Sequence, residues 1–373
     1  MGNFEQPSQV FSLLKSSDTE EIVGQWLTLA QNLGNTSYFQ SPDWVLSWWE
    51  TLGGRPPTEV AIWEDRAGAL EAIVLLSRIS HSIIESIPFR IRAWTNTGSG
   101  AASADHCGWP VLPQRTQDVR RWLRDLASRR VLVLQSLDPI VESSLPAGAH
   151  LLARMRCPRI ALSGKPGAAS ASHRRLQRTL KKERIVLQFV PPERMDDGVL
   201  DVLMSLHEQR FRDKGQSSAF ARDELGLHRR LIECSAPTRG PCAFLADQKG
   251  KTVAVQYGFL WRDAYYYYQG GWDPAMARFS PGKALHLEAM KYLRANGIRV
   301  YDFLRGDEPY KYAFGAEDRS DGTWIVLGPA LRRVLGLLTW GKTRFPGVWP
   351  FGSTRPEAAP ADFRETDPSQ REA

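Results

Sequence analysis

Two pairs of apolar runs, each interrupted by a short polar turn, dominate the hydrophobic pattern of the chain. TEVAIWEDRAGALEAIVLLSRI (58–79) predicts two strands joined by a turn at 65–68, and PCAFLADQKGKTVAVQYGFL (241–260) predicts a second hairpin with a turn at 247–250. Equivalent residues follow the same spacing of four, three and four positions: Ala61, Asp65, Gly68 and Ala72, against Ala243, Asp247, Gly250 and Ala254. The pattern therefore predicts an internal repeat.

An amphipathic helix and an apolar strand follow each hairpin. TQDVRRWLRDLAS (116–128) has helical periodicity and leads to the strand RVLVLQSL (130–137). PGKALHLEAMKYLRANG (281–297) has the same periodicity and leads to IRVYDFLRG (298–306). Both halves thus run from hairpin to helix to strand, which favours a duplicated α/β unit.

The other segments divide the chain around these two units. We expect six parts: an N-terminal segment (1–35), a first lobe (36–162), a linker with a basic helix (163–184), a second lobe (185–328), an amphipathic helix (329–352) and a disordered tail (353–373). The basic helix has a capping residue at Ser172. Packing of 329–345 against the protein's own core is the simpler interpretation, and docking on a membrane is the alternative.

Composition indicates a soluble globular protein. The chain is 42% hydrophobic and 24% charged, and it has no apolar run near the length of about 18 residues that a membrane span needs. MGNFEQPSQVFSLLKSSD, at the start, has neither the basic segment nor the apolar run of a signal peptide, so we expect a cytoplasmic protein. The net charge of +7 favours an anionic partner, such as nucleic acid, a lipid surface or a phosphorylated cofactor. Because the cysteines form no C-x-x-C pair and the histidines no H-x-x-x-H spacing, we expect no metal.

A tyrosine-rich strand and a helix start make a candidate ligand site in the second half. Since side chains alternate along a strand, two of the tyrosines in 265–268 should face a cleft or a helix and two should point outward. Gly270 and Gly271 then expose bare backbone that a ligand can approach closely. Next, Ser280 is placed to cap the helix that begins at Pro281.

Polar side chains are densest in the stretch that follows the strand 298–306. Asp302 lies inside this apolar strand and should have a partner. Charged and phenolic residues emerge beyond it, at the carboxyl end of the strand, where open α/β sheets bind ligands: Arg305, Asp307, Glu308, Tyr310 and Lys311. In the alternative interpretation, Asp302–Arg305 and Glu308–Lys311 are ion pairs that steady a loop.

Several of these motifs together resemble one known family. YYYYQGG, SPGKALHLEA and GIRVYDFLRGDEPYK, with FQSPDWVLSWWETLG and SHRRLQRTLKKER, resemble the BioF2-like or cellulose-biosynthesis-type acyltransferases of the GNAT superfamily, relatives of the Fem aminoacyltransferases. The similarity covers roughly residues 36–325. It implies an α/β fold of two tandem GNAT-like lobes, each a mixed sheet flanked by helices.

The resemblance also implies an activity and a donor. It implies an acyl-CoA-dependent N-acyltransferase that uses acetyl-CoA or another acyl-CoA and acts on an amine or hydroxyl acceptor, in polysaccharide or cell-envelope metabolism. The strand carrying Gln269 and Gly270 would pair with the pantetheine arm, while Ser280, Gly282 and Lys283 would bind the pyrophosphate. FSPGKA stands where standard GNAT enzymes have a Q/R-x-x-G-x-G/A loop, so an acyl or aminoacyl group on another carrier is the alternative donor.

Catalytic and acceptor residues follow from a direct transfer to an amine. Asp307 or Glu308 would serve as the base, and Tyr268 or Tyr310 would protonate the leaving thiolate. Lys311 and Arg305 would hold an anionic part of either substrate. Asp302 is a further substrate-binding candidate.

A predicted helix within 203–220 carries two more acceptor candidates, His207 and Arg210. The resemblance implies that this region forms part of the acceptor cleft. In the alternative interpretation, it is a solvated helix with one packed histidine.

Three other functions fit the sequence less fully. A Fem-like aminoacyl-tRNA-dependent transferase would use the basic segment 172–184 to hold tRNA. A nucleic-acid-binding protein would use the same segment, although it lacks interleaved aromatic residues for stacking. A catalytically inactive accessory protein of polysaccharide biosynthesis is the third. We expect a small-molecule or glycan acceptor as the main partner.

Overall fold

A computed structural model of the chain describes residues 18–82, 90–100, 102, 104–162, 177, 178, 180–213 and 224–329. Within these ranges, no helix combines the length and the apolar character that a membrane crossing requires. The predicted cap at Ser172, the amphipathic helix at 329–352 and the tail lie outside the described residues, apart from position 329.

Two six-stranded mixed sheets form the framework of the protein. The strands are β1 Thr58–Glu64, β2 Leu70–Ser82, β3 Arg90–Asn96, β4 Leu132–Leu137, β5 His150–Arg156, β6 Arg159–Ala161, β7 Ile185–Val190, β8 Arg239–Gln248, β9 Lys251–Trp261, β10 Ala264–Trp272, β11 Val300–Asp302 and β12 Ser320–Val326. The first sheet has the order β1-β2-β3-β4-β12-β5, and the second has the order β7-β8-β9-β10-β11-β6.

The described helices cover these sheets. They are α1 Asp18–Asn32, α2 Pro42–Glu50, α3 Thr116–Ala127, α4 Pro139–Glu142, α5 Asp197–Asp213, α6 Leu225–Glu233, α7 Pro281–Ala295 and α8 Pro309–Ala313. Short 3-10 turns occur at Tyr38–Gln40, Pro113–Arg115, Pro192–Arg194 and Pro274–Phe279.

The predicted repeat is present in both sheets. The antiparallel hairpins β1–β2 and β8–β9 stand at corresponding positions. Helix α3 then connects β3 to its parallel neighbour β4, as α7 connects β10 to β11. The turn of the first hairpin forms as the sequence predicts, since Asp65 Oδ1 accepts the N–H groups of Ala67 and Ala69. The predicted fold class, an α/β protein with two lobes that each have a mixed sheet flanked by helices, is confirmed.

Each sheet contains a strand from the other half of the chain. The short strand β6 belongs to the predicted first lobe (36–162), yet it pairs with β11. Strand β12 belongs to the predicted second lobe (185–328), yet it lies between β4 and β5. The observed sheets therefore differ from the predicted boundaries at these two strands, because a local apolar pattern does not specify which sheet a strand joins. The exchange ties the lobes together with backbone hydrogen bonds.

The largest hydrophobic cluster lies between the two sheets. Tyr266 and Tyr268 face this cluster, while Tyr265 and Tyr267 face the cluster beneath α7. The predicted alternation of the tyrosines is thus correct, but the expectation that two point outward is wrong. Both faces of β10 are covered, one by α7 and the other by α5 and the first lobe.

Gly271 marks the closest approach of a helix to this strand. A Cβ atom placed there would lie 2.7 Å from the His207 backbone nitrogen and 2.9 Å from the Leu206 carbonyl carbon. The bare backbone at this position therefore accommodates α5, rather than the ligand that the sequence suggested. His207 is buried, as in the packed-histidine interpretation.

We expect Gly271→Ala to destabilise the protein by about 2 kcal/mol, because its methyl group would meet helix backbone that cannot move cheaply. Gly226→Ala in α6 is the matched control, since nothing lies within 4 Å of a Cβ there, and it should be neutral or stabilising by up to about 1 kcal/mol. Urea unfolding followed by circular dichroism measures both variants. Equal midpoints for the two would contradict the packing described here.

Candidate active site between the two lobes

A buried histidine lies where the two sheets meet. The Nδ1 atom of His106 is 2.8 Å from Oδ1 of Asp321, in β12, and its Nε2 atom is 3.2 Å from Oδ2 of Asp302, at the end of β11. The backbone N–H of His106 donates to the other Asp321 oxygen. One imidazole is thereby held by carboxylates from both sheets.

Burial and neighbouring charges shift the pKa values of His106 and Asp321. Burial opposes protonation of His106, but Asp302 and Asp321 outweigh it and raise the pKa of the imidazole well above its usual value. Burial also raises the pKa of Asp321, and the facing imidazole counters that shift. The arrangement corresponds to an imidazolium between two carboxyl groups.

Cys157 lies beside the same cluster. Donor atoms of His106, Cys157 and Asp321 fall within 4.8 Å of one another, which is close enough for the three to hold a metal ion. Burial, however, raises the pKa of the Cys157 thiol, which disfavours the thiolate that a metal needs. Since both imidazole nitrogens already face carboxylate oxygens, the geometry favours ion pairing over metal ligation.

Arg305 anchors the second lobe to the first. Its Nε atom donates to Oδ1 of Asp105 over 2.8 Å, and its backbone N–H donates to Oδ2 over the same distance. Its Nη2 atom also donates to the carbonyl of Ala104. The partner that the sequence suggested, Asp302, instead faces His106 and accepts the N–H of Leu304. Arg305 is therefore engaged within the protein.

Lys311 holds the turn that follows β11. Its buried Nζ atom donates to the carbonyls of Leu304, Arg305 and Gly306 and lies 2.8 Å from Glu308 Oε2. A cation with three backbone acceptors and an ion pair is positioned to stabilise a loop. The pair with Glu308 matches the structural alternative for these two residues.

The other predicted catalytic residues have different surroundings. Asp307 is exposed on the turn before α8. Tyr310 packs with His286 and Phe314 beneath α7. The hydroxyl of Tyr268 donates to the carbonyl of Ala102, and burial raises its pKa well above the usual value.

Residues with left-handed backbone are concentrated at this junction. Ala102, His106, Ser136 and Leu304 have φ angles of 63°, 50°, 47° and 57°. Hydrogen bonds connect them to the cluster: the Cys107 N–H donates to the Ser136 carbonyl, for example. Such conformations are costly for L-residues, and they tend to occur where function requires a fixed geometry.

A cleft of about 430 Å³ opens beside the histidine cluster. Both lobes contribute to its wall, which includes Arg159, Arg262, Tyr266, Asp302, Asp318 and Arg319. Arg319 pairs with the buried Asp138, at the end of β4. The cleft is therefore a polar, charged space at the boundary of the lobes.

A second opening lies between β10 and β11. These parallel strands pair only from Ala264 to Tyr266 on β10 and from Val300 to Asp302 on β11. Strand β10 then continues to Trp272, while the chain after β11 turns away toward α8. A β-bulge at Tyr268 changes the register with β9 at the same place. We call this opening the strand wedge.

The predicted donor residues lie on β10, beyond the Tyr266–Asp302 pair, and at the start of α7. Gln269 Oε1 accepts the N–H of Gly270, and Lys283 is exposed in the first turn of α7. Gly282 faces Trp272, whose ring would lie 3.4 Å from an added Cβ. Ser280 precedes the helix, as predicted, but its backbone is left-handed and its side chain makes no capping hydrogen bond. The cap prediction was wrong because the preceding 3-10 turn ends at this residue and fixes its conformation.

Arg210, the remaining predicted acceptor residue, lies in α5, and its side chain is outside the described residues. The sequence interpretation did not identify His106, Asp105, Asp321 or Arg159. The only signal was the dipeptide Asp105-His106 after a run of small residues, TNTGSGAASA. Nothing local indicates that His106 meets a carboxylate 215 positions away.

Comparisons with known proteins identify one matching family model and several solved structures of similar fold. Residues 168–312 match the family model described as an acetyltransferase (GNAT) domain. The matched residues lie mostly in the second half of this protein and include β7 to β11 and α5 to α7. The predicted class, a GNAT-type transferase enzyme, is thereby confirmed. No curated protein matches the sequence.

Solved structures share the fold over most of their length. FemX aligns with a TM-score of 0.58 at 10% identity, covering 84% of this chain and 98% of that chain. The C-terminal domain of a predicted lysylphosphatidylglycerol synthetase from Agrobacterium fabrum aligns at 0.55 and 12% identity, covering 86% and 97%. A conserved protein of unknown function from Bacteroides thetaiotaomicron aligns at 0.53 and 12% identity, covering 83% and 97%. At these identities the likeness concerns the fold alone.

We expect Arg305→Ala to destabilise the protein by about 3 kcal/mol, because it leaves the Asp105 carboxylate buried without its cation. Arg229→Ala is the control, since its pair with Asp197 is exposed, and it should cost less than about 1 kcal/mol. Adding Asp105→Asn to Arg305→Ala should restore part of the loss, because the buried charge is removed. Urea unfolding measures all three, and equal losses for the two arginine variants would contradict the anchor.

Proposed function

We propose that the protein is an acyl-CoA-dependent N-acyltransferase whose donor occupies the strand wedge. The separation of β10 from β11 just after the Tyr266–Asp302 pair supports this proposal most directly. It leaves an unpaired edge of β10 to which an extended pantetheine arm can hydrogen-bond, as an added strand does. Gln269 and Gly270 lie on that edge.

The start of α7 suits the phosphates of such a donor. The N–H groups of its first turn have no partner within the helix, and the positive end of the helix dipole lies there. Lys283 adds an exposed cation, and no acidic residue occurs in this turn. A pyrophosphate at Ser280, Gly282 and Lys283 would place the thioester end of the donor toward the bulge at Tyr268.

Transfer would be direct. The acceptor nitrogen attacks the thioester carbonyl carbon, the N–C bond forms, the C–S bond breaks, and the acceptor's proton goes to a base. Backbone N–H groups reoriented by the bulge would stabilise the carbonyl oxygen. Tyr268, or Tyr310 beneath α7, would give a proton to the leaving thiolate.

The finer assignment follows the sequence resemblance. We infer a role like that of the BioF2-like or cellulose-biosynthesis-type acyltransferases, in polysaccharide or cell-envelope metabolism and in the cytoplasm. The motif block around residues 298–311 supports this inference.

An aminoacyl-tRNA donor is the second candidate. Cations of the basic segment that fall within the described residues are exposed, and they stand on the second lobe before β7: Arg178, Lys181, Lys182 and Arg184. They would meet the phosphates of a tRNA acceptor arm rather than those of CoA.

We expect calorimetry to detect binding of acetyl-CoA and of free CoA. Lys283→Ala should raise the Kd for both about tenfold, because it removes one phosphate contact worth about 1.4 kcal/mol. Lys291→Ala, on the same helix and paired with Glu288, is the matched control and should leave the Kd unchanged.

Equal effects of the two lysine variants would remove the phosphate site from the start of α7. Absence of CoA binding, together with tRNA binding that weakens steeply with salt, would favour the aminoacyl donor. Absence of both would leave the inactive accessory protein.

A further inference from the structure

Three polar side chains form a row across the second sheet. Asp302 on β11 is in register with Tyr266 on β10 and with Arg159 on β6. Residues directly opposite one another on neighbouring strands project to the same face of a sheet. That face is the one toward the first lobe, because Tyr266 packs in the cluster between the sheets. All three residues line the 430 Å³ cleft.

The middle of the row, Asp302, and its β6 end, Arg159, offer different chemistry. Asp302 is nearly inaccessible and held beside His106, so it forms the inner wall. Arg159 is exposed, and among the described residues its guanidinium has no ion pair or side-chain hydrogen bond. Other cations of the cleft are engaged: Arg262 donates to the Leu33 carbonyl, and Arg319 pairs with Asp138.

The cleft and the strand wedge meet at one place. Tyr266 and Asp302 are the last paired residues before β10 and β11 separate. A nucleophile beside Asp302 in the cleft would therefore lie next to a thioester held in the wedge. Along the two strands, the cleft lining extends up to this residue pair, and the strand wedge begins beyond it.

We propose that the cleft binds the acceptor, that Asp302 is the catalytic base, and that Arg159 recognises an anionic group on the acceptor. This inference rests on the acyltransferase function proposed above. It names the acceptor class as a small amine that carries a carboxylate or a phosphate. The amine lies at Asp302, and the anionic group lies at Arg159, one strand further toward the rim.

The proton path is simple. As the amine nitrogen attacks the thioester carbonyl, the carboxylate of Asp302 takes the N–H proton. The departing thiolate takes a proton from Tyr268, from Tyr310 or from water. His106 acts as a positioning residue: its Nε2 atom lies 3.2 Å from the Asp302 carboxylate and attracts it as an ion pair. Asp321 holds the imidazole from the other side.

The first experiment separates this inference from the proposed function. Calorimetry with acetyl-CoA reports donor binding, and thiol release from acetyl-CoA reports transfer to an added amine. Asp302→Asn should lower kcat by about 10²- to 10⁴-fold and leave the Kd for acetyl-CoA unchanged. If wild type does not bind acetyl-CoA, the proposed function fails. If Asp302→Asn binds acetyl-CoA and turns over at the wild-type rate, only the present inference fails.

The acceptor class is tested with two pairs of amines that differ in one anionic group. These are O-phosphoethanolamine against ethanolamine, and β-alanine against 3-aminopropanol. We expect wild type to prefer the anionic member of each pair by at least about tenfold in kcat/KM, a difference of about 1.4 kcal/mol. Arg159→Gln should abolish this preference, while Arg78→Gln, an exposed arginine on β2, should retain it.

Equal rates within each pair, or an unchanged preference in Arg159→Gln, would overturn the assignment of Arg159. If acetyl-CoA binds but none of the four amines is acetylated, the proposed acceptor class is wrong.

The positioning role of His106 has its own readout. Charged and titratable groups that act on Asp302 or its cluster are His106, Asp321, Tyr266, Arg319 and Cys157. His106→Gln removes the imidazole that faces the Asp302 carboxylate, so kcat should fall at least about tenfold, while the Kd for acetyl-CoA and the KM for the anionic amines stay at their wild-type values. A variant whose Kd and KM change together with kcat would show that His106 is only structural.

Discussion

The imidazole of His106, held between the carboxylates of Asp302 and Asp321, is the interaction on which the rest of the junction depends. Burying two carboxylates is costly unless a cation compensates them, and here one protonated ring serves both. Because Asp302 ends β11 and Asp321 begins β12, this ring fixes one sheet relative to the other. The left-handed backbone of His106 itself shows that the surrounding contacts hold it firmly.

The flanking ion pairs extend the same principle. Arg305 neutralises Asp105, and Arg319 neutralises Asp138, so each buried carboxylate of the first lobe meets a cation from the second half of the chain. The strands β6 and β12, exchanged between the sheets, add backbone pairing to these contacts. A rigid junction of this kind can keep a catalytic group within the small tolerance that group transfer requires.

Local sequence pattern predicted the hairpins, the helices α3 and α7, and the repeat, because periodicity and turn chemistry are encoded over a few residues. It could not predict the partners of Arg305 or Asp302, since these depend on contacts between distant segments. The local pattern also could not predict that Lys311 is buried. A lysine that donates to three backbone carbonyls and a lysine that lines a cleft can occur in the same local sequence. The roles of the residues in this block therefore could not be assigned without the fold.

Duplication explains why the two lobes can take different tasks. The helix equivalent to α7 in the first lobe is α3, whose first turn carries Asp118, and the preceding Arg115 is tied to Glu71 and Asp118. An acidic first turn repels phosphate, whereas the start of α7 has Lys283 and no acid. Of these two equivalent helices, α7 therefore has the start that is better suited to a phosphate. The first lobe supplies His106, and its sheet supplies Asp321, so the duplicated unit with the acidic helix start contributes the groups that hold Asp302.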